Sequence, residues 1–523
     1  MGSSERLAVI DLGSNSFRLV VFTATRGWWR RTDEIYEPVR IGEGMAATGR
    51  LGEEPIERAL ATLDVFAHFC KAGGLGAEAV DAVATSAIRD AENAEEFLAL
   101  ARERTGLRIR VLSGAEEAHY GYLAAINSTT LREGCILDLG GGSLQLVRVS
   151  GRKALESDSW RVGAVRMTER FLPGAEPPKQ KHLEALRAHV TRELERAAWL
   201  PAAGGRLVGI GGTVRNLAAA AQRAAGMPSN GVQGMTISGE ALERLVERLA
   251  ELPAAQRSRV PGIKPARADL ILAGAVVVQE VLRAGGFEAL ESTEAGLREG
   301  VFFERHLVDR SPPLFEDVRR ASVLNLAARY HVDVAHTRHV AALALGMFDQ
   351  LAQLGLHEGD PHERELLWAA CELHDIGMSV DYDDHHKHSR YLILNGGLPG
   401  FSPLEVAIVA QAARYHRKGM PEPGPLAALF GEREVAVLDR CAVLLRLAED
   451  LERSRDQLVR ETRLTLIARS SKEPASEENG TGAPGEVQLR LIADGEAAVP
   501  RWAAGRESGL FERAFGCGLT VLA

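Results

Sequence analysis

The chain has 523 residues, 46% hydrophobic and 25% charged, with a net charge of -9; this excludes a disordered or fibrous chain and, at roughly 100–200 residues per domain, leaves about three or four domains. The negative net charge argues against general duplex nucleic-acid binding, so a polyanionic ligand has to be held by local basic loops or metal ions. No apolar run reaches the roughly eighteen residues of a membrane span, and the N-terminus MGSSERLAVIDLG lacks the basic and long apolar regions of a signal peptide. The expected location is therefore the cytoplasm, with no membrane partner. Five scattered cysteines without a C-x-x-C pair read as small core residues.

In chain order, the strand-like runs LAVIDLG, VDAVATSA, LRIRVLSG, GCILDLGG and LVGIGG alternate with helix-length amphipathic segments up to about residue 300. This alternation predicts an α/β fold. Among those segments, EPIERALATLDVFAHFCKAGG and AENAEEFLALARERTG predict helices ended by glycine. After the paired prolines of VFFERHLVDRSPP the pattern changes to long helices, which places a boundary at 308/309. The expected division is two α/β lobes over 1–125 and 126–308, a helical domain over 309–465 and a small α+β segment over 466–523. In the last segment TRLTLIAR and EVQLRLIA predict a hairpin, and the polar, glycine-containing stretch 470–486 predicts a flexible loop at its tip.

The two lobes each carry a copy of one pattern, VIDLGSNSFRLV at 9–20 and ILDLGGGSLQLV at 136–147. In each, a buried strand runs into D-x-G and small polar residues. There the backbone N–H groups can turn inward together and make a concavity for phosphate oxygens. One copy alone reads equally as an ordinary hairpin turn. Two matched copies and a third glycine-rich strand end, GIGGTVRN at 209–216, favour a phosphate site between lobes. Within the repeat, Arg18 stands where the second copy has Gln145 and reads as plain variation.

Two further segments offer chemistry. In VLSGAEEAHYGYLAA, Ser113 and Glu116 have capping-box spacing, which gives Glu116 a structural role at a helix start. Glu117 has no such role: it reads either as a solvated first-turn acid favoured by the helix dipole or as a base that deprotonates water. Arg89, in VATSAIRDAEN, sits at a strand-to-helix turn, as a surface arginine or as a phosphate grip.

Taken together and in order, VIDLGSNSFRLV, ATSAIRDAEN, LSGAEEAHYGY, ILDLGGGSLQLV, GAVRMTERF, GIGGTVRN and GLREGV strongly resemble the exopolyphosphatase and guanosine pentaphosphate phosphohydrolase family. The resemblance covers roughly residues 6–305 and extends to the helical remainder. It implies duplicated actin-like (ribonuclease H-like) lobes around a cleft. There Mg²⁺-dependent (or Mn²⁺-dependent) hydrolysis would remove the terminal phosphate of inorganic polyphosphate or convert pppGpp to ppGpp. By motif it implies Glu117 as the water-activating base and Arg89 as a phosphate grip. The glycine loops become Asp11, Gly13, Ser14, Asn15 and Ser16; Asp138, Gly140, Gly141, Gly142 and Ser143; and Gly211, Gly212 and Thr213, with Asp11 and Asp138 at the metal. It also implies a homodimer.

One residue departs from the pattern. The family loop usually closes with Ser-Thr-Glu, and here reads Ser143-Leu144-Gln145. A neutral amide offers no charge to Mg²⁺. Weaker metal binding, slower turnover or a changed substrate is expected at this weak Mg²⁺ site. The departure keeps open a second class, a polyphosphate- or (p)ppGpp-binding regulatory protein with little turnover.

In the helical part, His336 shares a face with Val340, Leu343 and Met347, and the His374-Asp375 pair ends the apolar stripe of ERELLWAACELHDIGM. With DDHHKHSRYLILN and RYHRKG these resemble an HD-type domain. That resemblance implies a second divalent metal on His336, His374, Asp375 and, in the last position, Glu449, or a structural relic of such a site. Glu449 falls on the helical face of Ala442 and Leu445 and so points to the core. A metal-dependent phosphohydrolase at this site is a further alternative. The densest positive cluster comprises His385, His386, Lys387, His388, Arg390, Arg414, His416, Arg417 and Lys418. It reads as a solvated basic surface or as a patch that guides long polyphosphate.

Overall fold

In the computed structural model, which describes residues 4–174, 176–228, 230–467 and 485–522, two sheets share the order of their first four strands. The first contains β1 (Glu5–Leu12), β2 (Phe17–Ala24), β3 (Trp29–Glu37), β4 (Val80–Ala84) and β5 (Ile109–Val111) in the order β3-β2-β1-β4-β5. The second contains β6 (Gly134–Leu139), β7 (Leu144–Ser150), β8 (Lys153–Trp160), β9 (Arg206–Ile210), β10 (Thr236–Ser238) and β11 (Ala289–Ser292) in the order β8-β7-β6-β9-β11-β10. Each sheet therefore begins as an antiparallel meander whose first strand then pairs in parallel with its fourth. Duplication of this pattern is the actin-like fold.

The central strands are buried on both faces, so β1 and β6 read as nearly continuous apolar runs. On the outer face of the first sheet, Ile10, Leu12, Phe17 and Leu19 pack with Leu60, Leu63 and Phe66 of the helix Glu53–Ala72 and Phe97 of Ala94–Thr105. The inner faces share one core, in which Val9, Phe22, Ile136 and Val208 meet Leu123, Phe302 and Phe303. Two helices run through that core, Gly114–Ile126 and Leu297–His306. They approach so closely at Gly300 that a Cβ there would collide with the Tyr120 carbonyl. The two loops of the repeat are hairpin turns, β1 into β2 and β6 into β7, as the turn reading expects. Strand register sets Asp11 beside Arg18 and Asp138 beside Gln145.

The chain divides into two compact units, Met1–Arg319 and Arg320–Ala523. The second has one core, built from the helices Val334–Gln353, Pro361–Leu373, His385–Gly396, Pro403–Arg414 and Glu432–Leu451 and from a sheet of β12 (Val459–Ile467), β13 (Glu486–Ala493) and β14 (Gly518–Leu522). The predicted hairpin is antiparallel β12–β13, and β14 adds to it in parallel. Gln350 Nε2 donates to Thr462 O at 2.9 Å, tying this sheet to the helices. Most of the expected loop 470–486 lies outside the described residues. All five cysteines are buried and unpaired. Among the described residues no helix is long and apolar enough to cross a membrane.

Candidate active site

A cavity of about 120 Å³ opens between the two sheets of the first unit. Its walls are the turns that strand order brings together: Gly13 to Ser16 after β1, Gly140, Gly141 and Ser143 after β6, and Gly211 and Gly212 after β9. Glycine is required where the loops touch. A Cβ on Gly142 would collide with Ser86 Oγ and crowd Ser14 Oγ, and Gly211 holds φ at 103°, which disfavours any larger residue. Gly142 is thus pressed against the first lobe rather than lining the cavity. Thr213 is buried, with its methyl group against Gly274.

Glu117 enters the cavity from the first turn of Gly114–Ile126, whose Ser113–Glu116 capping box is formed. The side chain is buried and heavily partnered. Arg89 ion-pairs with Glu117 Oε1, while Ser143 Oγ lies 3.2 Å from Oε2. Gln145 Nε2 lies 2.9 Å from Glu117 Oε2, 2.9 Å from Ser143 Oγ and 3.0 Å from Ser159 Oγ. Burial pushes the Glu117 carboxyl up to about 7, against the pull of Arg89. Arg89 is not a cavity-lining residue; it also donates to Leu112 O at 2.8 Å, so it grips the carboxylate and a backbone carbonyl.

Asp11 and Asp138 line the same cavity. Arg298 Nη1 donates to Asp11 Oδ2 at 2.8 Å. Burial, reinforced by the Asp11 charge, pushes Asp138 up to about 6. Four arginines to which the sequence assigned no role at the site also line the cavity: Arg18, Arg215, Arg267 and Arg298. Register places Arg18 beside Asp11 at the cavity wall, a position that its place in the repeat does not announce. Arg215 and Arg298 stand inside quoted motifs, GIGGTVRN and GLREGV, and could have been found there; Arg267 comes from a turn without a motif. Burial, with repulsion from Arg298 and Arg18, lowers Arg215 to about 10, still a cation at neutral pH.

In the second unit, His336, His374, Asp375 and Glu449 come together. Glu449 Oε2 lies 3.0 Å from His336 Nε2 and 3.2 Å from His374 Nε2, and His336 Nε2 lies 3.8 Å from Asp375 Oδ2. The basic cluster does not survive as one surface. His385, His386 and His416 are buried because their rings turn into the helical core, whereas Lys387, Arg417 and Lys418 are exposed and His388, Arg390 and Arg414 are half-buried.

The Ppx/GppA phosphatase family model matches residues 21–308, more than half of the chain, and that of Ppx/GppA phosphatase domain III matches 318–478. Among solved structures, the Aquifex aeolicus member of the Ppx/GppA family is 30% identical over 59% of this chain and 99% of that one, with a TM-score of 0.51. An exopolyphosphatase from Cytophaga hutchinsonii shares the fold at 23% identity, over 58% of this chain and 98% of that one, with a TM-score of 0.53. With its twin glycine loops meeting around buried carboxylates, the chain belongs to the Ppx/GppA phosphatase family.

Proposed function

We propose that the cleft removes the terminal phosphate of inorganic polyphosphate by Mg²⁺-dependent hydrolysis, with conversion of pppGpp to ppGpp as its nearest variant. Members of the family are phosphoanhydride hydrolases that depend on a divalent metal. The observation that carries the reading is the Glu117 carboxyl, buried in the cavity with its pKa near about 7, where a base can take a proton at neutral pH. Water attacks the terminal phosphorus, its proton passes to Glu117, and the P–O bond to the rest of the chain breaks.

Phosphoryl transfer asks mainly for positioning and charge neutralisation. Backbone N–H groups of Ser14, Asn15, Ser16, Gly141 and Ser143 supply the phosphate grip, helped by Gly211 and Gly212 at a helix N-terminus, while Gly13 and Gly140 donate theirs to Ser16 O and Ser143 O and so shape the two turns. Arg18, Arg215, Arg267 and Arg298 add cationic charge at the wall, while Arg89 orients Glu117. Asp11, Asp138 and the serine hydroxyls are hard oxygen donors without an imidazole or thiol among them, which suits Mg²⁺ or Mn²⁺. When bound, the ion would supply Lewis-acid neutralisation of the phosphate charge. Gln145 acts on the base rather than on the ion, because its amide nitrogen faces Glu117.

The test is phosphate release from short polyphosphate, long polyphosphate and pppGpp with Mg²⁺, run on wild type and Gln145→Glu. Release from none of them by either protein would leave the binding or regulatory reading. A second reading rests on the convergence of His336, His374, Asp375 and Glu449: a divalent ion held in an HD-like domain. Hydrolysis at that site would be lost in His374→Ala and kept in Glu117→Ala. Homodimerisation, expected from the family, is checked by light scattering of the purified chain.

A further inference from the structure

Arg166 of GAVRMTERF and Asp90 of ATSAIRDAEN stand outside the lining of the phosphate cavity, yet they meet each other. Asp90 ends the short helix Ser86–Asp90, which follows β4 of the first sheet, and Arg166 sits in the first turn of the helix Ala164–Phe171, which follows β8 of the second. Arg166 Nη2 donates to Asp90 Oδ2 at 2.9 Å, and Arg161 Nη2 donates to Oδ1 at 3.2 Å. The Asp90 side chain is 7% exposed, against 22% for Arg166 and 70% for Arg161. The pair with Arg166 is shielded, while the pair with Arg161 is screened by solvent and contributes little.

The same guanidinium reaches the glycine loop after β6. Arg166 Nε donates to Gly142 O at 3.2 Å. The amides that open Ala164–Phe171 take the neighbouring carbonyls: Ala164 N donates to Gly140 O at 3.0 Å and Val165 N to Gly141 O at 2.8 Å. Three successive carbonyls of the loop thus turn toward one helix end. Across a planar trans peptide the N–H points opposite to the C=O. The N–H groups of Gly141 and Ser143 are therefore turned away from Ala164–Phe171, and both residues line the cavity. A flip of the Gly142–Ser143 peptide would aim a carbonyl dipole at the phosphate charge, and the Arg166 bond to Gly142 O opposes it.

The helix Ser86–Asp90 holds other parts of the cleft as well. Ser86 Oγ lies 3.1 Å from Ser14 Oγ in the loop after β1, and a Cβ on Gly142 would strike it. Arg89 ion-pairs with Glu117, and its Nε stands 3.7 Å from Asp90 Oδ1. Two adjacent residues of one helix therefore reach the proposed base and, through Arg166, the loop that is to hold phosphate.

We propose that Arg166 and Asp90 are positioning residues for the cleft reaction: Arg166 holds the Gly142 carbonyl so that the Gly141 and Ser143 N–H groups face phosphate, and Asp90, from the other sheet, holds Arg166. The proposal rests on the cleft reading above and adds to it two residues that line no part of the cavity. A guanidinium suits the place because one planar group serves both partners through separate nitrogens, Nε to the carbonyl and Nη2 to the carboxylate. A lysine offers a single nitrogen on a flexible stem and holds the two less firmly. Among the described residues Arg161 shares the carboxylate without a hydrogen bond to the loop.

Calorimetric binding of tripolyphosphate with Mg²⁺, beside steady-state phosphate release, reads the loop whether or not turnover is fast. Arg166→Gln and Asp90→Asn should each raise Kd and KM by about 10-fold and change kcat by less than about 3-fold, as loss of aligned binding donors with the base intact predicts. The double variant should bind no more weakly than Arg166→Gln alone, because both changes break one link. Arg166→Lys should fall between Arg166→Gln and wild type, and Arg161→Gln should stay near wild type, with circular dichroism and melting temperature certifying each fold. Wild-type Kd and KM in Arg166→Gln, or a fall in kcat alone, overturns the positioning role and leaves the cleft reading. Where Arg166→Gln fails to fold, wild-type Kd in both Arg166→Lys and Asp90→Asn is the overturning result. Losses that add in the double variant overturn the link between Asp90 and Arg166, and an equal loss in Arg161→Gln overturns the loop contact as its cause. A wild type that neither binds tripolyphosphate nor releases phosphate overturns the cleft reading and this proposal with it.

Discussion

Gln145 Nε2 donates to Glu117 Oε2 at 2.9 Å, so the amide that strand register sets beside Asp138 is spent on the proposed base. Replacing it by a carboxylate removes that donor and adds a charge at the cavity wall. In Gln145→Glu the Mg²⁺ concentration for half-maximal phosphate release should fall roughly 10-fold, the equivalent of about 1.4 kcal/mol of ion binding. An unchanged Mg²⁺ dependence would separate position 145 from the ion. Gln145→Leu instead leaves Glu117 short of a partner, at a cost of about 1–3 kcal/mol, read as a lower melting temperature.

Glu117→Gln keeps the size of the side chain and removes the base. Phosphate release should drop by about 10²–10⁴ while the chain stays folded, as thermal unfolding checks. A variant as active as wild type places the base elsewhere.

The same carboxyl gives the protein a pH signature whose sign is fixed by its shift, from 4.5 to about 7. Only the ionised form is a base, so release should rise with pH through about 7 at low Mg²⁺. A cation near Asp138 favours ionised carboxylates, so the limb should move to lower pH as Mg²⁺ is raised. For stability the direction reverses. A folded value above the unfolded one means that the folded chain binds the proton more tightly, and metal-free stability falls as pH climbs from 4.5 to about 7, by on the order of 3 kcal/mol. Glu117→Gln should flatten this part of the melting profile.

Much of the site is legible in the sequence because its loops are duplicated. Two copies of D-x-G at strand ends can face each other only if the lobes do, and the glycines mark where side chains cannot fit. Glu117 stands out once Ser113 and Glu116 are assigned to the cap. Arg18 does not, because what matters is Asp11 on the neighbouring strand, a relation of register that a linear reading passes over. Arg267 arrives from a short turn between helices with no local pattern to announce it. His386 and His416 read as surface because lysine and arginine adjoin them in sequence, yet a helical start and a helix end turn adjacent residues in opposite directions. The parallel β14 is likewise hidden, since it returns to β13 only after two intervening helices.

Arg18 offers a test of substrate grip apart from chemistry. Its guanidinium lies 3.0 Å from Glu34 and stacks over Tyr36, which holds it at the cavity wall. A charge-assisted hydrogen bond to phosphate is worth about 1.5–3 kcal/mol, so Arg18→Gln should raise KM for polyphosphate by about 10- to 100-fold and change kcat far less. Unchanged KM would make the residue a brace for Glu34 and Tyr36 alone.

Two glycines separate the stability of the fold from the shape of the loop. At Gly300 a methyl group would strike the Tyr120 carbonyl where two core helices meet, away from the cavity. At Gly163 it would strike the backbone of Gly141, Gly142 and Ser143, the loop itself. Overpacking of this kind costs about 1–3 kcal/mol or more in either place. Gly300→Ala should lower the melting temperature and leave KM of the folded enzyme near wild type. Gly163→Ala should lower it too, but with KM for polyphosphate raised, because the methyl group moves the N–H groups that are to hold phosphate. Steady-state kinetics below both melting temperatures distinguish the two, and equal KM values would mean that the loop after β6 does not bind the substrate.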